Sequence, residues 1–220
     1  HHIQVVFRVS RGGFYQFIHN FTRASGRKHQ NSFCLCQRLA TNLINHCAPT
    51  LASLKTANLF NYSFASEAEL HAQLLRLNDM LAIKGVSLTV IRKTTSSALI
   101  YVYRKKKLAR DLASKPAACI LKKLGYDDLS PESAIAHLAK RINRTGEFPH
   151  EIGLFLGYPP GDVMGYIQNN GRNCKCSGCW KVYCDECEAR KTFRRFDKCK
   201  EMYRLMFQKG KTVCQLTIAA

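Results

Sequence analysis

Five cysteines crowd into fourteen positions near the end of this chain. Cys174, Cys176 and Cys179 form C-x-C-x2-C, and Cys184 and Cys187 form C-x2-C. Thiolates so spaced bind Zn²⁺ or an iron–sulfur cluster, and those are the cofactors the pattern admits. Trp180–Tyr183 reads as a strand between the two groups. At ~3.3 Å per residue an intact strand would hold Cys179 and Cys184 ~16 Å apart and on opposite faces, too far for one tetrahedral metal. Free thiols in a reducing compartment are therefore the expectation, with a metal or cluster site as the alternative. A redox dithiol at Cys184 and Cys187 is a third reading, since a helix N-terminus lowers a thiol pKa.

A second set of candidates lies further forward. Cys47 follows His46, and a cysteine with a histidine base is a nucleophile pattern. Adjacent side chains rarely point at each other, so the better base would be His150, with Glu151 beside it. His150-Glu151 lacks the second histidine, four residues on, of the zinc-protease motif. Pro149 and Glu151 equally make a good helix start. Lys55 is a candidate anion ligand. Gly157-Tyr158-Pro159-Pro160-Gly161-Asp162 is a tight connector, which could cradle a small anion at the next helix N-terminus. Asp162 would compete for that positive end, and a helix–turn–helix corner is the plainer reading. Tyr158, Asp162 and Lys181 complete the candidate ligand residues. Trp180, the one tryptophan, is expected to pack the sheet against a helix. Neither a phosphate-binding G-x-x-x-x-G-K-[ST] loop nor G-x-G-x-x-G occurs, and no recognised catalytic motif decides whether this is an enzyme.

Composition bounds the partners. The 220 residues carry 34 Lys and Arg against 15 Asp and Glu, a formal charge of +19. Such a chain favours polyanions, nucleic acid included. The charge concentrates at Arg104-Lys105-Lys106-Lys107 with Arg110, and on a late helix bearing Arg190, Lys191, Arg194, Arg195, Lys198 and Lys200. Solvated helix faces are the plainer explanation of such runs, because the aromatics fall on apolar faces rather than among the cations. No apolar run approaches the ~18 residues of a membrane span. With 11 cysteines and no evident secretory signal, a cytoplasmic location is expected.

The elements that must position these groups read as follows. Residues 1–35 are a basic extension, free of acids and expected to be poorly ordered; residues 36–220 form one domain. Cys36 to His46 is a helix, and Pro49 restarts the chain into Leu51–Leu59. Ser66 with Glu69 caps the helix Glu67–Ile83, which buries Leu70, Leu74, Leu77 and Leu81. Val86–Ile91 and Ala98–Tyr103 form a β-hairpin. Helices follow over 104–113, 116–124, 131–143, 149–156 and 160–169. Asp185 caps a long helix to about Gln208, with Ala189, Phe193, Phe196, Tyr203, Met206 and Phe207 on its inner stripe. Thr212–Ile218 reads as a last strand. The class is α+β: many short helices packed on a small, mainly antiparallel sheet.

Three stretches carry a resemblance. They are His46-Cys47-Ala48-Pro49-Thr50-Leu51-Ala52-Ser53-Leu54-Lys55 with Asn58-Leu59-Phe60; Pro149-His150-Glu151-Ile152-Gly153-Leu154-Phe155-Leu156-Gly157-Tyr158-Pro159 with Asp162-Val163 and Gly165; and Trp180-Lys181-Val182-Tyr183 with Cys199. Together they resemble the bacterial domain of unknown function 3793 family, found mainly in anaerobic Gram-positive bacteria, over about residues 36 to 205. The resemblance implies no established activity, only an association with iron or flavodoxin metabolism. Similar sequences carry aromatic or aliphatic residues where Cys174 and Cys179 stand. The reading that follows is a non-catalytic domain binding a small ligand or protein partner, its site built from Cys47–Lys55 and His150–Asp162. A metal or redox protein, a Cys47 enzyme and a nucleic-acid binder are the alternatives.

Overall fold

The computed structural model describes residues 31–219. The extension expected over 1–35 lies outside the described residues as far as residue 30, and from Asn31 the described chain is helical. That helix, α1 (Asn31–Leu51), leads into strand β1 (Ala57–Ser63), helix α2 (Glu67–Ala82), and strands β2 (Val86–Lys93) and β3 (Ser97–Arg104). Next come α3 (Lys105–Ala113), α4 (Lys115–Lys123), α5 (Pro131–Thr145), α6 (Ile152–Phe155) and α7 (Pro160–Gln168). A short hairpin of β4 (Cys176–Ser177) and β5 (Lys181–Val182) precedes α8 (Glu186–Gln208) and α9 (Val213–Leu216). The α+β class stands.

Strand periodicity organises everything else. The three strands pair antiparallel in the order β1-β3-β2. Central β3 is buried on both faces from Ala98 to Arg104. Its even residues Ala98, Ile100 and Val102 join Phe60, Tyr62, Val86 and Leu88 in one core, covered by α1, α2, α8 and α9. Its odd residues Leu99, Tyr101 and Tyr103 join Ala57 and residues of α3 to α7 in a second. Alternation on a two-sided sheet thus yields three layers. An irregularity between Val90 and Arg92 turns Ile91 into the second core. Leu39, Leu43, Ile44, Cys47, Ala48 and Leu51 recur at helical spacing and seal α1 onto the first core.

Four expectations need correction. Pro49 does not restart the chain; it sits within the last turn of α1. Its carbonyl accepts from the backbone N–H groups of Leu54 (2.8 Å) and Lys55 (3.1 Å), which closes the helix and releases the chain into β1. Leu51–Leu59 is therefore helix end, turn and strand rather than one element. Arg104 does not belong to a solvent-facing basic run. It is 1% exposed, and its guanidinium donates to the carbonyls of Thr50, Leu51 and Ile218, each at 2.7 Å, and of Lys84 at 3.2 Å. A cation on the orphan carbonyls of a helix C-terminus is favourable twice, by hydrogen bonding and by the helix dipole. Lys107 donates to the Ser53 carbonyl of the same turn, and Lys105 pairs with Glu132 at 2.6 Å. Third, Thr212–Ile218 is a helical turn, not a strand. The Thr212 hydroxyl accepts from Gln215 N–H while the Gln215 side chain accepts from Thr212 N–H, a reciprocal cap that outweighs the β-branched composition. The fourth correction concerns Trp180–Tyr183: only Lys181 and Val182 are strand, paired back onto Cys176 and Ser177.

Candidate functional site

The turn after α1 sets the site's first residue. Ser53 takes a left-handed conformation (φ 57°), and Lys107 holds its carbonyl. The chain then reverses, so Lys55 points inward and is only 8% exposed. Thr56 fixes the next residue: its carbonyl accepts from Arg104 N–H at 3.0 Å and its hydroxyl donates to Asp111. Against it passes the α6–α7 connector. Gly157, at φ +73°, lies so close that a Cβ there would stand 2.7 Å from Thr56 Oγ1. Only glycine suits both that conformation and that approach. The connector delivers Tyr158 beneath Lys55, with the ammonium 5.2 Å from the ring centroid.

Aromatic packing extends this contact to the small hairpin. Tyr158 stacks on Trp180 at 5.1 Å between centroids, and Trp180 meets Phe193 of α8 edge-on at 4.6 Å. Asp162, in the first turn of α7 and 3% exposed, fastens the arrangement. Its Oδ2 accepts from Trp180 Nε1 at 2.7 Å, and its Oδ1 accepts from the backbone N–H groups of Tyr183 and Cys184, both at 2.8 Å. The helix carrying it touches the hairpin directly, because a Cβ on Gly165 would meet the Tyr183 Cβ at 2.5 Å.

Lys55 is the unusual group. Among the described residues no carboxylate pairs with it. The ionisable groups acting on it are the thiols of Cys179 and Cys47 and the ammonium of Lys200. Burial, reinforced by Lys200, lowers its pKa to about 8. Cys179 sits in the hairpin turn, half-buried, its thiol pushed up by burial and drawn down by Lys200 and Lys55. At the rim Lys200, with a side chain 29% exposed, pairs with Asp197 at 3.1 Å. Lys55 therefore sits over the Tyr158–Trp180 stack, within electrostatic reach of a thiol and a second cation that the sequence separates from it by more than a hundred residues.

The sequence candidates divide accordingly. The Cys47–Lys55 and His150–Asp162 segments do come together, through Lys55, Thr56, Gly157 and Tyr158. Cys47 and His150 do not form a nucleophile and base. Cys47 is fully enclosed in the first core, and burial pushes its thiol far up, away from the thiolate a nucleophile needs. His150 stands 5.3 Å from the Tyr166 ring on the opposite side of the sheet. It lines a cavity of about 250 Å³ with Arg144, Glu147 and Phe148. Glu151 is 2% exposed and is engaged by Arg141 (2.7 Å) and the Tyr126 hydroxyl (3.0 Å). Lys181 donates to the Gly171 carbonyl at 2.6 Å. Both thereby hold segments together. Asp162 is a fastener of the site rather than an open ligand group.

The cysteine cluster opens out instead of converging. Among the described residues no group of three or more His, Cys, Asp or Glu side chains gathers as a metal site would require. Cys179 interacts electrostatically with Lys55, whereas Cys184 packs on Gly161 beside Asp162. Cys174, Cys176, Cys179, Cys184 and Cys187 are all free thiols. Two contributors escaped sequence reasoning, Cys179 as a neighbour of Lys55 and Lys200 as its second cation. Lys200 could have been found: it stands one turn beyond Phe196 and two beyond Phe193, at the edge of the buried stripe of α8.

With this geometry in place, the comparisons with known proteins add one finding. A family model described as "Protein of unknown function (DUF3793)" matches residues 43–217, the stretch that holds the second core, most of the first and every group just described. No curated protein and no solved structure matches the chain. Among the described residues no helix is long and apolar enough to cross a membrane.

Proposed function

The chain belongs to this family of unknown function, and we propose for it a binding role: it holds a small anionic ligand between Lys55 and Lys200, beside Cys179 and over the Tyr158 ring. One observation carries the reading. A lysine that is 8% exposed and lacks a carboxylate partner among the described residues is an electrostatic cost in the folded protein, and an arriving anion relieves it. Lys200 and Cys179 are only half-buried, which brings this edge of the site to the surface. Tyr158 and Trp180 supply a rigid apolar wall, and Asp162 holds the wall in place through the indole. Such perturbed, convergent groups are how binding sites differ from ordinary cores.

The test is a thermal-unfolding screen with inorganic phosphate, pyrophosphate, sulfate and citrate at constant ionic strength. An anion present at about 100 times its Kd stabilises by about 2.7 kcal/mol, which raises Tm by roughly 5–10 °C in a chain of this size. The shift should vanish in Lys55→Met, which folds with an apolar side chain of similar length. Equal shifts in both proteins, or none with any anion, defeat the reading.

A further inference from the structure

The outward face of α8 carries a pattern the Lys55 site does not use. On a helix of 3.6 residues per turn, Lys191, Arg194, Arg195, Lys198, Met202 and Leu205 fall on one stripe, opposite the buried Phe196, Cys199 and Tyr203. At ~1.5 Å per residue the stripe runs ~21 Å from Lys191 to Leu205. Its first half is cationic. Lys191, Arg194, Arg195 and Lys198 with Glu188 line an open hollow of about 370 Å³. Glu188 pairs with Lys191 at 2.7 Å, and Asp197 beside the stripe is taken by Lys200. Glu201 is the other acid flanking it. Among the described residues Arg194, Arg195 and Lys198 have no carboxylate partner. The second half is apolar: Met202 and Leu205 are 43% and 46% exposed.

We infer that this stripe of α8 docks an acidic, amphipathic segment of another protein, with carboxylates on Arg194, Arg195 and Lys198 and apolar side chains over Met202 and Leu205. Charge complementarity fixes the first half of that partner, and the second half decides its class. A nucleic-acid strand would use cations along its whole track together with exposed aromatic rings for its bases. Here the stripe continues past Lys198 with the exposed aliphatic side chains of Met202 and Leu205, and none of its members is aromatic. An acidic helix laid along α8 meets both halves, the arrangement by which one amphipathic helix reads another. The cations would steer encounter and register, and Met202 and Leu205 would supply the buried contact.

Fluorescence anisotropy on the full chain tests this with four probes. One is a synthetic peptide of about five helical turns bearing Glu on one face in its first half and Leu in its second; another is the same peptide with Ser for Leu. Oligothymidylate and vesicles of phosphatidylserine in phosphatidylcholine complete the set. The Glu/Leu peptide should bind best. Arg194→Glu with Arg195→Glu should weaken it by more than about tenfold and flatten its salt dependence. Met202→Ser with Leu205→Ser should weaken it about tenfold without touching the salt response. All four positions are exposed, and circular dichroism confirms that each variant keeps its fold. Equal binding of the Ser peptide, tighter binding of oligothymidylate or vesicles, or no binding of the Glu/Leu peptide each overturns the inference.

Discussion

Replacing Asp162 by Asn keeps the side chain's size and removes its charge. In the native protein the carboxylate receives three donors: Trp180 Nε1 at 2.7 Å and the backbone N–H groups of Tyr183 and Cys184 at 2.8 Å each. An amide has one oxygen. It can serve the two backbone donors or the indole, and in either case its NH2 turns toward a group that is itself a donor. Hydrogen bonds to charged groups contribute about 1.5–3 kcal/mol, and a buried donor left unmatched costs about 1–3 kcal/mol. Loss of charge assistance and one donor clash together give roughly 2–4 kcal/mol. At ~2–4 °C per kcal/mol for a chain of this length, Tm should fall by roughly 5–15 °C. Because the chain has one tryptophan, its fluorescence reports this very position, and the emission should shift to the red as the indole loses its partner and its stacking on Tyr158. Thermal unfolding followed by tryptophan fluorescence and far-ultraviolet circular dichroism provides the assay. A Tm within about 2 °C of the parent with unchanged emission would refute the fastening role of Asp162.

Other perturbations test other parts. Arg104→Leu removes one donor from each of four carbonyls, of which Thr50 and Leu51 keep a backbone donor, and should destabilise by about 3–5 kcal/mol in urea unfolding, far more than Lys106→Leu on the solvent side. Gly165→Ala drives a methyl into Tyr183 and should cost about 1–3 kcal/mol with a change in tryptophan emission; a silent variant would mean that the hairpin is not seated on α7. Lys55 carries a pH signature. Its folded pKa of about 8 lies below the ordinary 10.5, so between these values the unfolded chain binds more protons and stability rises with pH. The parent should therefore gain stability relative to Lys55→Met across that window, measured as the difference between their urea midpoints, whereas parallel curves would contradict the burial of a charged lysine. Iodoacetamide at neutral pH should modify the exposed Cys119, Cys184 and Cys187 well before Cys47, as peptide mass spectrometry will report; early labelling of Cys47 would show that its core opens.

Much of this fold is readable where local chemistry decides it. Ser66 and Asp185 cap their helices as their types suggest, each accepting an N–H three residues on. The hairpin of Val86–Lys93 with Ser97–Arg104 follows from β-branched and aromatic runs around a polar turn. Misreadings arise where a distant group intervenes. The α1 end depends on the guanidinium of Arg104, fifty-odd residues away, and nothing local in Arg104-Lys105-Lys106-Lys107 separates a buried cation from its exposed neighbours. At Thr212, β-branched composition argued for a strand and the cap at Gln215 prevailed. The site divides in the same way. Motif segments name Lys55, Tyr158, Asp162 and Trp180, but their convergence is tertiary: it rests on Gly157 against Thr56 and on one carboxylate reaching an indole eighteen residues on. The cysteine spacing is the converse case, a loud local pattern whose members the fold directs to different sides.

The most direct test of the central claim is the titration of Lys55 itself, by ¹³C-methyl NMR of the reductively methylated protein with Lys55→Met to assign the signal, with and without inorganic phosphate, pyrophosphate, sulfate or citrate. The account predicts a pKa depressed toward about 8 that climbs when the bound anion arrives. An ordinary lysine titration, or a depressed one that no anion moves, would contradict it.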